Sequence, residues 1–199
     1  MTGADILGYI ILIAIIVLCI YVYFENYGEF QLKCIVSDED GHKYCVRERS
    51  KIQKAANLLA KVTNKLKQLV QYLHKKYPEQ DKVKRLVENF NPKKIMETLP
   101  TSDFTAYSEN KGEKIAFCLN KDKHNNEDLI DEKTLTFVAI HELAHVASKS
   151  IGHKSEFWEN FKFLLENAEE AGIHSPVDYK NNPQEYCGMK IHDNPYYDA

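Results

Sequence analysis

Two histidines and a glutamate stand at a spacing that suits hydrolytic metal chemistry. The chain reads HELAH from His141 to His145, within a stretch that predicts a helix over residues 131–149. Because residues i and i+4 lie one above the other on a helix face, both histidines can offer a ring nitrogen to one Zn²⁺. Glu142 projects beside them, where it can serve as general base toward a zinc-activated water. The pattern therefore predicts a zinc site with Glu142 as catalyst.

A catalytic zinc ion needs a third protein ligand and an open fourth position. His153 is the nearest histidine, but on an unbroken helix it would lie about 12 Å beyond His145 along the axis. Gly152 precedes it, and glycine is common just past a helix C-terminus, so we expect the helix to end and the chain to turn back. The first hypothesis for the third ligand is therefore His153. The alternatives are Glu166, Glu169, Glu170, His174, Asp178 and Cys187.

Several other side chains have weaker signals. An oxyanion donor is expected near a hydrolytic centre, and the residues that could supply it are His174, Tyr179 and Tyr186. Met189 is interpreted as a core methionine rather than as a residue beneath the metal. Cys118 lies in a strand pattern and is also interpreted as core.

An uncharged segment opens the chain. The protein has 199 residues, a net charge of −3 and 44 % hydrophobic residues, which excludes a disordered polyanion or a polytopic membrane protein. Residues 6–24 carry no charge and would span about 29 Å as a helix, close to one hydrocarbon core. We predict an N-terminal, single-pass transmembrane anchor over residues 1–26. A cleaved signal peptide and a buried core helix are the alternatives.

The orientation of this anchor is predicted from the residues around it. A slight basic excess follows the apolar segment, there is no Asn-x-Ser/Thr sequon, and five cysteines are an odd number. These features favour a cytosolic location for the soluble domain. Residues 30–47 predict a β-hairpin in which Cys34 and Cys45 face each other. A disulfide is one interpretation of that pair, but reduced thiols suit a cytosolic domain better.

The soluble part, residues 27–199, is divided by charge. Residues 47–94 hold 14 basic and 4 acidic side chains, a net charge of +10, and they include predicted basic helices over residues 50–90. One interpretation is contact with nucleic acid or anionic lipid, and the other is a solvated helix surface that balances the acidic half.

The segment over residues 104–199 is the predicted catalytic part. It combines a hairpin at residues 104–119, the HExxH helix, a second helix at residues 155–171 and an irregular tail. The elements predict an α+β fold with a small antiparallel sheet beside the active-site helix. The edge of the hairpin could bind a substrate strand by β-augmentation.

These motifs carry a family resemblance. HELAH followed by Gly152-His153 and Phe157-Trp158 resembles the WLM and SprT-like zinc peptidases. The segment from HELAH to EFW, with Tyr-Cys-Gly-Met downstream, is also similar to short uncharacterised proteins of large double-stranded DNA viruses. The resemblance implies a zincin-like fold with His141, His145 and His153 as zinc ligands and Glu142 as catalyst.

The resulting expectation is a membrane-anchored zinc-dependent peptidase that acts on a protein or peptide substrate. Two other classes stay open at this point. One is a structural or virion membrane protein whose metal site is vestigial or only stabilises the fold. The other is a membrane-tethered module that binds polyanions through residues 47–94.

Overall fold

The computed structural model describes residues 3–30, 32–125 and 127–198 as a mixed α+β chain. The α-helices are α1 (Gly3–Phe30), α2 (Ile52–Lys76), α3 (Asp81–Asn89), α4 (Glu132–Ala147) and α5 (Ser155–Glu170). The strands are β1 (Lys33–Val36), β2 (Lys43–Val46), β3 (Ile95–Glu97), β4 (Ala106–Glu109), β5 (Lys114–Phe117), β6 (Gln184–Tyr186) and β7 (Met189–Ile191). A short 3₁₀ helix, Pro195–Tyr197, follows the last strand.

Helix α1 is long and apolar enough, over Asp5–Phe24, to cross a membrane. None of the side chains described in that span is buried, which separates it from the core helix of a soluble protein. A signal sequence would pass the same length and composition test. The helix continues past residue 26 to Phe30, so the prediction that Phe30 begins the first strand is wrong.

The first hairpin pairs β1 with β2 in antiparallel register, and Cys34 lies opposite Cys45 as predicted. The two residues form a disulfide, and a second disulfide joins Cys118 to Cys187. The expectation of reduced thiols at Cys34 and Cys45 is therefore wrong. Cys118 is buried as expected, but its pairing was not foreseen. Cys19 in α1 is the cysteine left free, so the cysteines outside that helix are even in number.

The central sheet has the order β3-β5-β4. Strand β4 pairs antiparallel with β5, as the predicted 104–119 hairpin requires, whereas β3 pairs parallel with β5. The sheet is therefore mixed, and the prediction of an antiparallel sheet is wrong in this respect. Strand β3 has only three residues, which are too few to show a recognisable alternation of apolar and polar side chains. Strand β4 remains at the edge, next to α4.

Helix α4 runs through the core. Most of its side chains are buried, because α2, α3, α5 and β4 surround it. Asp131 caps its N-terminus by accepting a hydrogen bond from the Thr134 amide at 2.9 Å. A helix whose faces are mostly apolar has to be buried, so the HExxH residues sit on a helix that is packed on several sides.

The tail after α5 is more regular than predicted. Strands β6 and β7 form a short antiparallel hairpin between the core and the cleft described below. The Cys118–Cys187 disulfide fastens this hairpin to the end of β5. Amides at its turn also bond to the neighbouring loop, with Cys187 N donating to the Asn120 carbonyl at 2.9 Å.

The positive charge of residues 47–94 is partly neutralised by acidic side chains of the same domain. Arg47 and Arg49 converge on the buried carboxylate of Glu97, and Arg49 also donates to Asn120 at 2.8 Å. Further ion pairs link Lys61 with Glu39, Lys65 with Glu132, Lys76 with Glu170 and Arg85 with Glu156. Much of the charge in residues 47–94 therefore faces acidic groups of the same chain.

Candidate metal centre

Three histidines converge at one end of the buried helix. The ring centroids of His141, His145 and His153 lie 4.9 to 5.1 Å apart, which makes a nearly equilateral triangle. Each ring offers one nitrogen, and these atoms all lie within 4.8 Å of one another. Nε2 of His153 is 3.1 Å from Nε2 of His141. The geometry brings together the three residues that the sequence nominated as ligands.

The chain returns His153 to the cluster through a loop and not through a helix end at Gly152. Helix α4 ends at Ala147, two residues before its predicted end, and Ser148 is its C-cap. Gly152 has a φ of 76° and nothing lies within 4 Å of a Cβ placed there. The backbone conformation, and not a lack of space, is therefore what favours glycine at this position.

Basic side chains from two neighbouring elements hold the loop in place. Lys111, in the turn between β4 and β5, donates through Nζ to the carbonyls of Ser148 and Ser150 at 2.9 and 2.6 Å. Arg85 of α3 donates through Nε to the carbonyl of Ala147 at 2.6 Å. Positive groups at these carbonyls satisfy acceptors that the end of a helix leaves open.

Helix α5 holds the same loop from the other side. The Glu156 carboxylate accepts hydrogen bonds from the amides of Lys149 and Ser150, both at 2.9 Å. These bonds hold the pKa of Glu156 down at about 2. Asn160 donates to the hydroxyl of Ser148 at 2.9 Å. The loop that carries His153 is thus anchored through polar contacts on both flanks.

The β4–β5 turn also packs directly on α4. Gly112 has a φ of 113°, and a Cβ there would lie 2.9 Å from a methyl carbon of Val146 and 3.0 Å from the Asn89 carbonyl. This close approach brings Lys111 within reach of the loop. Glycine at position 112 is required both by its φ and by the lack of space.

Phe157 forms the floor of the histidine cluster. Its ring centroid lies 4.8 Å from that of His141, 4.4 Å from His145 and 4.6 Å from His153, and the side chain is fully buried. Phe161 adds a second contact to His141 at 5.2 Å. These contacts restrict the rotation of the imidazoles that would have to point at a shared ion.

Burial sets the protonation of the site. It lowers the pKa of His141 to about 3 and that of His145 to about 4, with further lowering from the neighbouring histidines. Both rings are therefore neutral near pH 7, which is the form that binds a metal. Burial also raises the pKa of Glu142 to about 8. This carboxyl group is 4 % exposed and lines the same cleft as the histidines.

An open cleft of about 1260 Å³ extends from the histidine cluster. One wall consists of β4, the segment before it and the β6–β7 hairpin, and the other is the loop and first turn of α5. Tyr186 reaches into this region and donates its hydroxyl to the Thr105 carbonyl at 3.1 Å. Burial raises the pKa of Tyr186, and the nearby Glu142 carboxylate raises it further.

The other residues considered as third ligand lie apart from the cluster. Glu170 pairs with Lys76, Glu169 accepts from the Tyr196 hydroxyl, and Cys187 is in a disulfide. The Asp178 carboxylate accepts a hydrogen bond from the side-chain amide of Asn181. Among the described residues, the metal-sized group of ligands is formed by His141, His145 and His153.

The residues considered as oxyanion donors lie in two different places. His174 and Tyr179 pack against Phe137 in the core and do not line the cleft, whereas Tyr186 does. Met189 lines the cleft and is half exposed, so its interpretation as a core methionine is wrong. The roles of Phe157, Lys111 and the Cys118–Cys187 pair were missed. The positive-φ glycine after Lys111 is the one signal that could have directed attention to the turn.

The chain is similar to viral proteins without assigned function. It shares 29 % identity over 185 residues with an uncharacterised protein of Acanthamoeba polyphaga mimivirus, covering 91 % of this chain and 92 % of that protein. It shares 33 % identity over 73 residues with an uncharacterised protein of Invertebrate iridescent virus 6, covering 37 % of this chain and 40 % of that protein. An uncharacterised protein of Invertebrate iridescent virus 3 is 35 % identical over 100 residues, which are 50 % of this chain and 57 % of that protein. No protein-family model and no solved structure matches the chain.

Proposed function

We propose that this protein is a membrane-anchored, zinc-dependent peptidase with a zincin-like fold. The observation that carries the proposal is the triangle of three imidazoles around one point, with a buried glutamate next in sequence to His141 and an open cleft in front. A structural zinc site is closed by four protein ligands, whereas a catalytic one keeps a position for water or substrate. The exposure of His153 and the adjoining cleft fit the catalytic type.

The donor set suits Zn²⁺. Three imidazoles are ligands of the kind found in hydrolytic zinc sites. Tetrahedral coordination at 2.0–2.1 Å requires nitrogens about 3.4 Å apart. The nitrogens of His141 and His153 are 3.1 Å apart, and the whole set lies within 4.8 Å, so small ring rotations complete the arrangement.

The chain's own residues would divide the reaction between them. A bound zinc ion would supply a Lewis acid that polarises the scissile carbonyl and acidifies water. The Glu142 carboxylate accepts a proton from the attacking water and returns it to the amine that leaves. A bound cation beside the buried carboxyl would favour its ionised form, which is the form that accepts a proton. Tyr186 is fixed by Thr105 and supports the wall beside Glu142.

Strand β4 offers a place for the substrate backbone. It pairs with β5 on one side and forms the edge of the sheet on the other, next to the cleft. An extended peptide could add to this edge by backbone hydrogen bonds, which bind without regard to sequence. Such pairing would hold a peptide across the histidine cluster.

Helix α1 would anchor this domain to a membrane of the host or virion. The two disulfides favour a domain that folds under oxidising conditions, which weakens the expectation of a cytosolic orientation. The pairing of many basic residues with acidic ones within residues 47–94 favours a role for that segment in stability over binding of nucleic acid or anionic lipid.

The test uses the full chain in detergent. We expect one zinc ion per protein by elemental analysis and hydrolysis of a peptide library, with Glu142→Gln retaining zinc but losing activity by about 10²-fold or more. Glu159→Gln, an exposed change on α5, is the matched control and should leave both measurements unchanged. A wild-type protein that binds zinc and hydrolyses no peptide would leave the structural role as the better hypothesis.

A further inference from the structure

Exposed apolar side chains collect around the cleft. Outside α1, seven large apolar side chains of the described residues are exposed, and four of them line the cleft. Their exposed fractions are 84 % for Ile151, 65 % for Phe104, 50 % for Met189 and 46 % for Trp158. Exposing large apolar groups at one place is unfavourable unless something covers them, so this concentration indicates a binding surface.

The four side chains stand on both sides of the histidine cluster. Phe104 packs on Tyr107 at 6.2 Å between ring centroids, and Met189 Sδ accepts from the Thr105 hydroxyl at 3.6 Å, so both belong to the β4 wall. On the opposite wall, the ring of Trp158 lies 5.7 Å from that of His153, and Ile151 occupies the loop before it. A chain lying across the histidines would meet apolar surface in both directions.

We infer that the cleft selects extended peptides with large apolar side chains on both sides of the bond that is cut. The inference rests on the proposed peptidase function and specifies its substrate class. In an extended peptide successive side chains point to opposite faces, so alternate residues on each side of the scissile bond would contact the walls. Each apolar side chain that leaves water against these walls adds to binding in proportion to the area it buries.

A peptide fits this surface better than a lipid bilayer does. The apolar groups line a concave cleft, whereas a membrane-inserting surface has to project outward to reach the acyl chains. The charged side chains that line the cleft include the acidic Asp103, Glu109 and Asp193 as well as Lys111 and Lys190, so the cleft has no basic excess that would attract anionic headgroups. The edge of β4 adds backbone donors and acceptors that suit a peptide and have no counterpart in lipid.

The chain carries its own reporter for this binding. Trp158 is the single tryptophan of the protein and lies in the wall beside His153. In the full-length, zinc-loaded Glu142→Gln variant, a bound peptide is not consumed. Titration with peptides that carry Leu or Phe on both sides of the central bond should shift the tryptophan emission to shorter wavelength. Peptides of equal length with Asp or Lys at those positions should give no shift at the same concentrations.

Turnover by the wild-type protein gives the second measurement. We expect kcat/KM to be at least about tenfold higher for the apolar peptides, which is the size of effect that one buried apolar group produces. Trp158→Ala and Met189→Ala should each reduce this preference. Val87→Ala removes an exposed apolar side chain on α3, outside the cleft, and should leave the preference unchanged.

The outcomes separate the two hypotheses. Equal cleavage of apolar and charged peptides would overturn the substrate class and leave the peptidase intact. Absence of cleavage of every peptide by the zinc-loaded wild type would overturn the proposed function itself. In proteoliposomes without peptide, quenching of Trp158 by brominated lipid chains would show that this surface contacts the bilayer, and that result would also overturn the inference.

Discussion

The ring of Phe157 lies 4.4 Å from the ring of His145, measured between centroids, and it packs at similar distances on the other two histidines of the cluster. A single buried side chain from α5 thus touches every expected ligand, although two of them come from α4 and one from the loop. Groups that orient metal ligands commonly contribute 10- to 100-fold to metal affinity.

Phe157→Leu is the first prediction. The smaller side chain frees the imidazoles to rotate, so zinc affinity should fall by roughly tenfold, with a loss of about 1 kcal/mol in unfolding free energy. Competition with a chromophoric chelator measures the first quantity and urea unfolding the second. Phe163→Leu on the same helix is the control, because Phe163 packs on Tyr77 away from the histidines. Equal zinc affinity in both variants would contradict the role of Phe157.

His153→Ala tests the third ligand. Zinc at a hundred times its dissociation constant should stabilise the wild-type protein by about 2.7 kcal/mol, because it binds the folded state. Most of this stabilisation should disappear in His153→Ala, measured as the zinc-dependent rise in melting temperature. His124→Ala, a change at an exposed loop histidine outside the cleft, should keep it. If Glu169→Gln removed the effect instead, the third ligand would have been assigned wrongly.

Lys111→Met tests the contact between the β4–β5 turn and the His153 loop. The substitution keeps the length of the side chain but leaves the carbonyls of Ser148 and Ser150 without their charged donor, at a cost of about 2 kcal/mol. We also expect weaker zinc binding, since the loop carries a ligand. Lys114→Met removes an ion pair with Glu109 on the neighbouring strand and is the control. Zinc affinity that falls equally in both variants would argue against a specific role for the contact between Lys111 and the loop.

The Cys118–Cys187 disulfide should matter for activity as well as for stability. It spans 69 residues, so the double change to serine should destabilise the protein by about 4 kcal/mol in the chain-entropy model. It should also lower kcat/KM, because the hairpin that bears Met189 loses its covalent attachment. The matched Cys34→Ser/Cys45→Ser protein should lose stability and retain kcat/KM. Alkylation of all five cysteines in protein taken directly from membranes would contradict both disulfides.

The buried side chain of His174 should make the stability of the protein depend on pH. Burial lowers its pKa to about 4, with smaller contributions from Lys133 and Lys65, and the side chain is 4 % exposed. In the unfolded chain the same side chain has a pKa of about 6.5. Below that pH the unfolded chain binds a proton that the folded chain does not. The contribution of His174 to stability is therefore complete above about pH 6.5 and is lost as the pH falls toward 4.

The effect of this histidine at pH 5 should be about 2 kcal/mol. His174→Gln should remove it, which urea unfolding of the metal-free protein at pH 7.5 and pH 5 would reveal as a smaller difference between the two conditions. Using metal-free protein for both variants keeps zinc release out of the comparison. An unchanged pH dependence in His174→Gln would show that the buried ring does not control acid stability.

The sequence by itself determined the elements whose signals are local. The uncharged segment predicted α1, the apolar periodicity predicted α2 and α5, and the HExxH spacing placed two candidate ligands and Glu142 on one helix. These inferences hold because helical periodicity and capping depend on residues within a few positions of one another. The predicted facing of Cys34 and Cys45 held for the same reason, since a hairpin turn sets its own register.

Only the tertiary structure decided what depends on contacts between distant segments. Strand β3 is three residues long and exists because β5 pairs with it, the Cys118–Cys187 pair joins positions 69 apart, and Lys111 reaches a loop nearly forty residues away. The floor that Phe157 provides likewise follows from how α5 packs on α4. The sequence named the candidate ligands, and the packing of four other elements around α4 decided that these side chains lie together, because long-range contacts leave no periodic trace along the chain.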